Sequence, residues 1–273
     1  MDGTSIVVGY DGSPGARSAL AWAAQSAVRH WVPLRLVYGE PGVSRVRPAA
    51  DPARLPPAAL IARGVEQARP LCGGKIPVTG VVVDAAAAPA LLAQSERAYM
   101  LVLGSRGRGG LAGLLAGSVS AAVAAHAHCP VVVVREDQGA GAPEDPVVVA
   151  VDDTPAAPAA LDFALAEAAA RAAGVVAVRV WNPSSAWEHS GWDDSSRETA
   201  ERHALEASLR GWPEKYPTVP ISARVIAGDP GRVLTEVSEG AQLIAVGAHG
   251  TVSQHVLHHA SCPVAVVPAA RLS

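Results

Sequence analysis

Cysteine and aromatic residues are scarce in this chain. It has three cysteines, Cys72, Cys129 and Cys262, none of them in a CxxC pair, and aromatic residues make up 4% of its 273 residues. An odd and sparse set of cysteines predicts neither a disulfide framework nor a cysteine-rich metal site. We therefore expect free thiols in a reducing, cytoplasmic setting.

The chain also lacks a large net charge and a long hydrophobic run. Its 22 lysines and arginines and 25 acidic residues leave a formal net charge of −3 at pH 7, which gives no electrostatic reason to expect a nucleic acid or an anionic membrane as partner. The apolar segments are short or rich in alanine, and the opening residues MDGTSIVVGYDGS lack a basic region followed by an apolar core. We expect neither a transmembrane helix nor a signal peptide.

An internal repeat is the main feature that the sequence does contain. IVVGYDGSPGARSALAWAA at 6–24 resembles VVVAVDDTPAAPAALDFAL at 147–165, and HAHCPVVVV at 126–134 resembles HASCPVAVV at 259–267. Such a repeat divides the chain into halves, which predicts domains at 1–135 and 147–273. The stretch between them, EDQGAGAPEDP at 136–146, is rich in glycine, proline and acid and is predicted to be a linker.

Each half alternates short apolar strands with helices. In the first half, the predicted strands are Ser5–Gly9, Pro33–Val37, Lys75–Val83, Met100–Leu103 and Val131–Val134. The predicted helices are Pro14–His30, Leu55–Ala68, Pro89–Glu96 and Gly117–Ala127. The second half is predicted to repeat this order. Apolar strands separated by helices indicate a parallel sheet covered on both faces, so the predicted fold class is α/β, with two tandem doubly wound five-stranded sheets of Rossmann-like or flavodoxin-like type.

Two features of the first half follow predicted strands. Ligands of such sheets bind beyond the carboxyl ends of the strands, where the strand order reverses. Asp11 follows the first strand, and the glycine-rich segment GSRGRGGLAGLLAGSVS at 104–120 follows the fourth. If those two strands are neighbours, the carboxylate and the glycines face one crevice.

The glycine-rich segment has the chemistry of a phosphate-binding loop. Gly104 and Gly107 allow a tight turn and a close approach of bare N–H groups to a ligand. Gly117 opens a helix whose unpaired N–H groups and positive dipole end favour an anion, and Ser118 would cap that helix or donate its hydroxyl to a phosphate. Arg106 and Arg108 would add charge-assisted contacts. The alternative is a flexible glycine loop before a capped helix.

Other kinds of site find less support. The chain has no GxxxxGK[ST] loop, so no Walker-type phosphate site is predicted. Ser13, Ser118 and Ser120 have no motif-placed histidine with an orienting acid, so no catalytic residue is predicted. His255 and His259 have helical spacing for a metal, but no cysteine or acid completes a ligand set, and no metal site is predicted.

The spacing Gly104-x2-Gly107-x9-Gly117-Ser118 resembles the nucleotide-binding signature of the universal stress protein family, G-x2-G-x9-G-[S/T]. VGYDGS near the start of the first half and HCPVVVV at its end accompany the signature in the order of that family. The resemblance covers nearly the whole chain, as a tandem pair of such domains. It implies an adenine nucleotide alpha hydrolase-like fold that binds ATP.

The resemblance also implies binding residues. The segment around Asp11 would bind the adenine and ribose of ATP, Gly39 would offer its backbone to the adenine, and the glycine signature would bind ribose and phosphates. The implied set is Gly9, Tyr10, Asp11, Gly12, Ser13, Gly39, Gly104, Arg106, Gly107, Gly117, Ser118, Val119 and Ser120. The family pairs domains through the last strand, so Val131–Val134 and Val264–Val267 would pair between the halves, or between chains in a homodimer.

The second half departs from this pattern. Gly104 and Cys129 are 25 positions apart, whereas their counterparts Gly247 and Cys262 are 15 apart. The missing residues belong to the phosphate loop, although Asp152 still matches Asp11. We therefore predict a degenerate phosphate loop in the second half and one ATP per chain, in the first half.

The predicted function is that of a stress-response or regulatory protein. It would bind adenine nucleotide as ATP, with or without Mg²⁺, and act on an unidentified regulatory protein through nucleotide-dependent conformation. Two alternatives stay open at this point. One is a slow ATP-hydrolysing or adenylate-forming enzyme on the same fold, and the other is a structural paralogue that binds nothing.

Overall fold

The computed structural model describes residues 4–41, 55–107, 117–136, 141–183, 194–248 and 250–269. The chain divides into two compact units, residues 1–137 and 138–273. Each unit is an α/β domain with a parallel sheet, so the predicted fold class is confirmed. Of the predicted linker 136–146, residues 137–140 lie outside the described part. No helix within the described ranges combines the length and the apolar character that crossing a membrane requires.

The N-terminal unit alternates strands and helices from its start. Its elements are β1 (Ile6–Gly9), α1 (Pro14–His30), β2 (Leu34–Gly39), α2 (Pro57–Leu71), β3 (Val78–Val83), α3 (Ala87–Ser95), β4 (Met100–Gly104), α4 (Ser118–His126) and β5 (Val131–Val134). All strand pairs within this unit are parallel, in the order β3-β2-β1-β4-β5. The order reverses between β1 and β4, which is where a doubly wound sheet opens a crevice.

The C-terminal unit repeats this plan with one additional short helix. Its elements are β6 (Val147–Ala150), α5 (Ala157–Arg171), β7 (Val175–Trp181), α6 (Asp194–Ser208), α7 (Trp212–Lys215), β8 (Ile221–Ala227), α8 (Pro230–Val237), β9 (Leu243–Gly247), α9 (Gly250–His259) and β10 (Val264–Val267). The strands within this unit are parallel and follow the order β10-β9-β6-β7-β8.

The central strands of each sheet form its core. Ile6 of β1 pairs with Leu34 of β2 and Met100 of β4, and all three residues are 0% exposed. In the C-terminal unit Val147 pairs with Leu243, and both are again 0% exposed. Helices cover both faces of such strands, which explains why the strands read as continuous apolar runs in the sequence.

The start of β3 differs from prediction by three residues, as does the end of α2, which is Leu71 and not Ala68. The predicted strand Lys75–Val83 begins instead at Val78. Gly73 and Gly74 have φ values of +57° and +68°, and the Lys75 N–H donates to the Cys72 carbonyl. This local turn uses the residues that the apolar pattern had assigned to the strand.

All three cysteines are free and buried. Burial raises the pKa of the Cys129 and Cys262 thiols to about 12, and it raises the pKa of Cys72 above its usual value. Because the thiolate is the reactive form of cysteine, none of the three is suited to redox or nucleophilic chemistry in the folded protein.

We predict that a thiol reagent such as Ellman's reagent will label none of the three cysteines in the folded protein at pH 8. In guanidinium chloride the same reagent should label all three, because unfolding restores both access and the ordinary pKa. The absorbance of the released product measures the number of thiols in each state. Rapid labelling of Cys129 or Cys262 under native conditions would contradict the prediction.

Candidate functional site

A cavity of about 340 Å³ opens at the carboxyl edge of the N-terminal sheet, where the segments that follow β1 and β4 diverge. All of the predicted binding residues except Gly12 line it. The pairing of β1 with β4 brings the binding residues after these two strands together, since Val8 pairs with Val102 and both strands end at the same edge. The condition set by the sequence, that the first and fourth strands be neighbours, is therefore met.

Asp11 closes one side of the cavity and borders the glycine signature. Its Oδ1 accepts a hydrogen bond from the Ser13 N–H at 2.9 Å. A Cβ atom on Gly107 would lie 2.9 Å from Asp11 Oδ2, closer than a side chain tolerates. A side chain at position 107 would therefore push the Asp11 carboxylate aside, whereas glycine lets the two meet.

Gly12, the predicted residue that lies outside the cavity lining, has a different role. Its φ is +76°, a conformation that glycine adopts at little cost. Its carbonyl accepts a hydrogen bond from Arg17 Nη1 at 2.7 Å. Gly12 therefore shapes the turn between β1 and α1, and its position supports no direct contact with a ligand in the cavity.

The N-terminus of α4 opens on the cavity without a side-chain cap. Its N-cap residue is Gly117, with φ −74° and ψ 152°, and no side chain of the described residues caps the helix. Ser118 is the first helical residue, so the prediction that it would serve as the cap is wrong. The N–H groups of the first helical turn have no intrahelical acceptors, and within the part of the chain that the structure describes no side chain caps them.

The backbone between β4 and α4 is fixed by hydrogen bonds. The Ser105 carbonyl accepts from the Gly117 N–H at 2.5 Å and from Ser120 Oγ at 3.4 Å. Ser120 Oγ also donates to the Gly117 carbonyl at 2.9 Å. Ser120 is 3% exposed, so its hydroxyl holds the start of α4 in place within the cavity wall.

The two signature residues Arg106 and Gly107 are exposed at the mouth of the cavity. A guanidinium at this point can pair with an anion seated on the start of α4. The remainder of the glycine-rich segment, residues 108–116, lies outside the described residues.

Sequence reasoning missed the apolar wall of the cavity. It is formed by Val37 and Tyr38 of β2, Ala87 and Leu91 of α3, and Leu103 of β4. Val37 and Leu103 are apolar residues at strand ends, and Ala87 and Leu91 have the i, i+4 spacing of one helix face. These signals are present in the sequence, but core residues show the same pattern.

Two contacts shape that wall. A Cβ atom on Gly39 would lie 2.7 Å from the Ala87 Cα atom, so glycine lets the start of α3 approach the end of β2. The ring of Tyr10, which is 3% exposed, packs over Gly64, and its hydroxyl donates to Gln67 Oε1 at 2.9 Å. Gly64 and Gln67 belong to α2, so this helix supports the cavity from outside its lining.

The equivalent edge of the C-terminal unit keeps the first turn of the site. Asp152 Oδ1 accepts from the Thr154 N–H at 3.0 Å and from Thr154 Oγ1 at 2.6 Å, as Asp11 accepts from Ser13. Only residues 248 and 249 separate β9 from α9. The long connection that carries Arg106 and Gly107 in the N-terminal unit therefore has no counterpart.

An ion-pair cluster lies beside that turn. The register places Arg179 at the position of Tyr38, and Asp153 stands where the first half has Gly12. Arg179 Nη2 lies 2.7 Å from Asp153 Oδ2, and its Nε lies 2.6 Å from Glu201 Oε2. The hydrogen bonds from Arg179 lower the pKa of Asp153, and those to Asp153 raise the pKa of Arg179. An ion-paired guanidinium therefore stands at the position that Tyr38 has in the apolar wall of the first half.

The solved structure of a universal stress protein from Archaeoglobus fulgidus shares the fold. Its TM-score is 0.67 at 15% identity, and the alignment covers 97% of this chain and 98% of that one. A universal stress protein structure from Pseudomonas aeruginosa gives a TM-score of 0.65 at 16% identity, covering 97% and 93% of the two chains. At this level of identity the likeness concerns the fold alone.

Sequence comparison identifies the family. One universal stress protein of Mycobacterium tuberculosis is 34% identical over 291 residues, covering 96% of each chain. Another is 36% identical over 260 residues, covering 90% of this chain and 86% of the relative. The model of the universal stress protein family matches residues 4–135 and again 144–268. The chain therefore belongs to the universal stress protein family, as a tandem of two such domains.

Proposed function

We propose that the N-terminal unit binds an adenine nucleotide, with ATP as its ligand, and that the protein acts as a nucleotide-dependent binding module in a stress response. The observation that carries the proposal is the cavity at the carboxyl edge of β1 and β4. One wall of the cavity is apolar and suits a purine base. The other wall is the start of α4, a helix N-terminus without a side-chain cap, and suits a phosphate chain.

The apolar wall fits the nucleoside. Val37, Leu91 and Leu103 offer a surface on which a purine can pack, and Gly39 brings backbone groups to the same edge. Asp11 supplies a carboxylate that can accept hydrogen bonds from ribose hydroxyls. Pockets for small molecules usually combine a mainly apolar lining with a few such polar groups.

The start of α4 fits the phosphates. Its first-turn N–H groups, which no side chain of the described residues caps, and the positive end of its dipole favour an anion. The exposed Ser118 hydroxyl and the Arg106 guanidinium lie at the same mouth of the cavity. By contrast, the start of α1 is closed by its own residues, because Ser13 Oγ accepts from the Ala16 N–H at 3.1 Å. Of the two helices that follow β1 and β4, α4 is therefore the one that suits an anionic ligand.

The cavity favours binding over catalysis. Hydrolysis of ATP needs a positioned water and a metal ion to neutralise the phosphates. Among the residues that line the cavity, Asp11 is the single carboxylate, and it stands on the nucleoside side. A Mg²⁺ that arrives with ATP would be held mainly by the phosphates, so turnover is expected to be slow.

The C-terminal unit is proposed to bind no ATP. It lacks the connection that would carry a phosphate loop, and the Arg179 cluster stands at the position of Tyr38 in the apolar wall. Val180 also replaces Gly39, which removes the glycine that makes room in the first half. The tandem arrangement thus combines one nucleotide-binding domain with a second domain of the same fold whose residues at the carboxyl edge of the sheet are changed.

We predict that isothermal titration calorimetry will find one ATP per chain and that ATP will raise the melting temperature of the protein. A ligand that binds only the folded state stabilises it by about 2.7 kcal/mol at a concentration one hundred times its dissociation constant. Mass spectrometry of the ligand released from freshly purified protein checks its identity. Two equivalent sites would overturn the assignment to one unit, and an absence of both heat and thermal shift would overturn the function.

Replacing Gly117 with valine should weaken ATP binding at least about tenfold, a loss of roughly 1.4 kcal/mol or more, while leaving the domain folded. The negative φ of Gly117 is compatible with a side chain. An added Cβ atom would lie 3.1 Å from the Ser105 carbonyl oxygen, so the backbone at the start of α4 has to shift slightly to admit the valine. Thr251→Val at the start of α9 is the matched control and should leave ATP affinity unchanged. Both variants are compared by calorimetry and by circular dichroism, and undiminished affinity in Gly117→Val would count against the phosphate site.

Phosphate release from ATP should be far slower than about 1 s⁻¹, the lower end of typical enzyme turnover. The reason is the absence, among the cavity-lining residues, of a second carboxylate at the phosphate side. A coupled phosphate assay with and without Mg²⁺ measures the rate, and boiled protein provides the background. Turnover of 1 s⁻¹ or more would favour the enzyme alternative over a binding module.

A further inference from the structure

Helix α1 touches the backbone that follows β4 through two glycines. A Cβ atom on Gly15 would lie 2.8 Å from the Arg106 carbonyl oxygen, and one on Gly104 would lie 2.5 Å from the Gly15 carbonyl carbon. Side-chain carbons do not approach backbone atoms this closely. The first turn of α1 and the end of β4 are therefore in direct backbone contact, which requires glycine on both sides. The signature of the family includes Gly104, but nothing in that signature refers to Gly15.

A hydrogen bond reinforces this contact. Ser13 Oγ donates to the Arg106 carbonyl at 3.4 Å, and Ser13 is 6% exposed. The Arg106 carbonyl is thereby turned toward α1. The C=O and N–H of a trans peptide unit point in opposite directions, so the N–H of Gly107 points away from α1. Gly107 lines the cavity, and its N–H makes no hydrogen bond to the described backbone.

The C-terminal unit has alanine in place of glycine at the corresponding position of its first helix. Ala156 stands at the position of Gly15 and is 0% exposed, whereas Gly247 keeps the place of Gly104. A Cβ atom on Gly247 would meet the Ala156 Cβ atom at 3.0 Å. The methyl group of Ala156 thus fills the space beside this helix that, at Gly15 in the first half, is next to the Arg106 carbonyl. The repeat that has alanine at this position is the one whose connection from strand to helix is shortened.

We propose that Gly15 is a positioning residue for the phosphate side of the nucleotide site. Its missing side chain lets α1 hold the Arg106–Gly107 peptide so that the Gly107 N–H is presented to the phosphates. The proposal rests on the nucleotide-binding function proposed above. A methyl group at position 15 displaces a backbone carbonyl that cannot rotate aside, and the whole peptide moves with it. The apolar wall proposed for the purine is formed by residues of β2, α3 and β4, and Asp11 is the residue of the nucleoside side that borders Gly107.

The test compares the affinities of ATP and adenosine, measured by calorimetry for the wild type, Gly15→Ala and Ala156→Gly. Gly15→Ala should bind ATP at least about tenfold more weakly, because the displaced Gly107 N–H no longer reaches the phosphates, and should bind adenosine within about twofold of the wild type. Ala156→Gly should change neither affinity. A Gly15→Ala variant that binds ATP as the wild type does, or that loses both ligands equally, overturns the proposal.

A second variant covers the case in which Gly15→Ala does not fold. Ser13→Ala adds no atoms and removes the hydroxyl that bonds the Arg106 carbonyl and caps α1. Its preference for ATP over adenosine should fall at least about threefold, and an unchanged preference overturns the role of this contact. If the wild type itself binds no ATP, the function proposed for the cavity has failed, and this outcome is distinct from a failure of the role of Gly15.

Discussion

The parallel pairing of β1 with β4 is the constraint on which the candidate site depends. The chain leaves β1 toward β2 on one side and reaches β4 on the other, so the segments that follow these two strands separate at the same edge. The helices that follow the two strands, α1 and α4, both begin at that edge. The crevice between them exists for a topological reason, and the residues around it determine what the crevice can bind.

Glycine determines how closely the surrounding backbone can approach. At Gly39 and Gly104 an added Cβ atom would fall within 3 Å of a neighbouring backbone atom, so each of these contacts exists only because the side chain is missing. Gly117 acts differently. Its φ of −74° is one that any residue adopts, and its contribution is to leave the start of α4 without a side-chain cap. The site is thus built largely from main chain, with Asp11 and Arg106 as its charged side chains, and its polarity follows from which N–H groups remain unpaired.

The two units show how one fold keeps its core and changes its edge. The central strands are equally buried in both, and Asp152 repeats the hydrogen bond of Asp11. At the C-terminal unit's edge, however, Arg179 is 8% exposed and is compensated by Asp153 and Glu201. A buried guanidinium without such partners would be strongly destabilising. The partners therefore let the unit remain folded with a charge where its counterpart has the ring of Tyr38.

The sequence by itself determined the repeat, the α/β alternation and the spacing of the glycine signature, because these depend on local periodicity and backbone freedom. It also located most of the cavity lining, since strand ends and glycines are visible in a one-dimensional pattern. Only the tertiary structure decided that Gly12 shapes a turn outside the lining, that Gly117 rather than Ser118 is the N-cap of α4, and that Gly15 touches Arg106. The physical reason is distance along the chain: Ser13 and Arg106 are 93 positions apart, and no local pattern reports which helix will pack against which strand end.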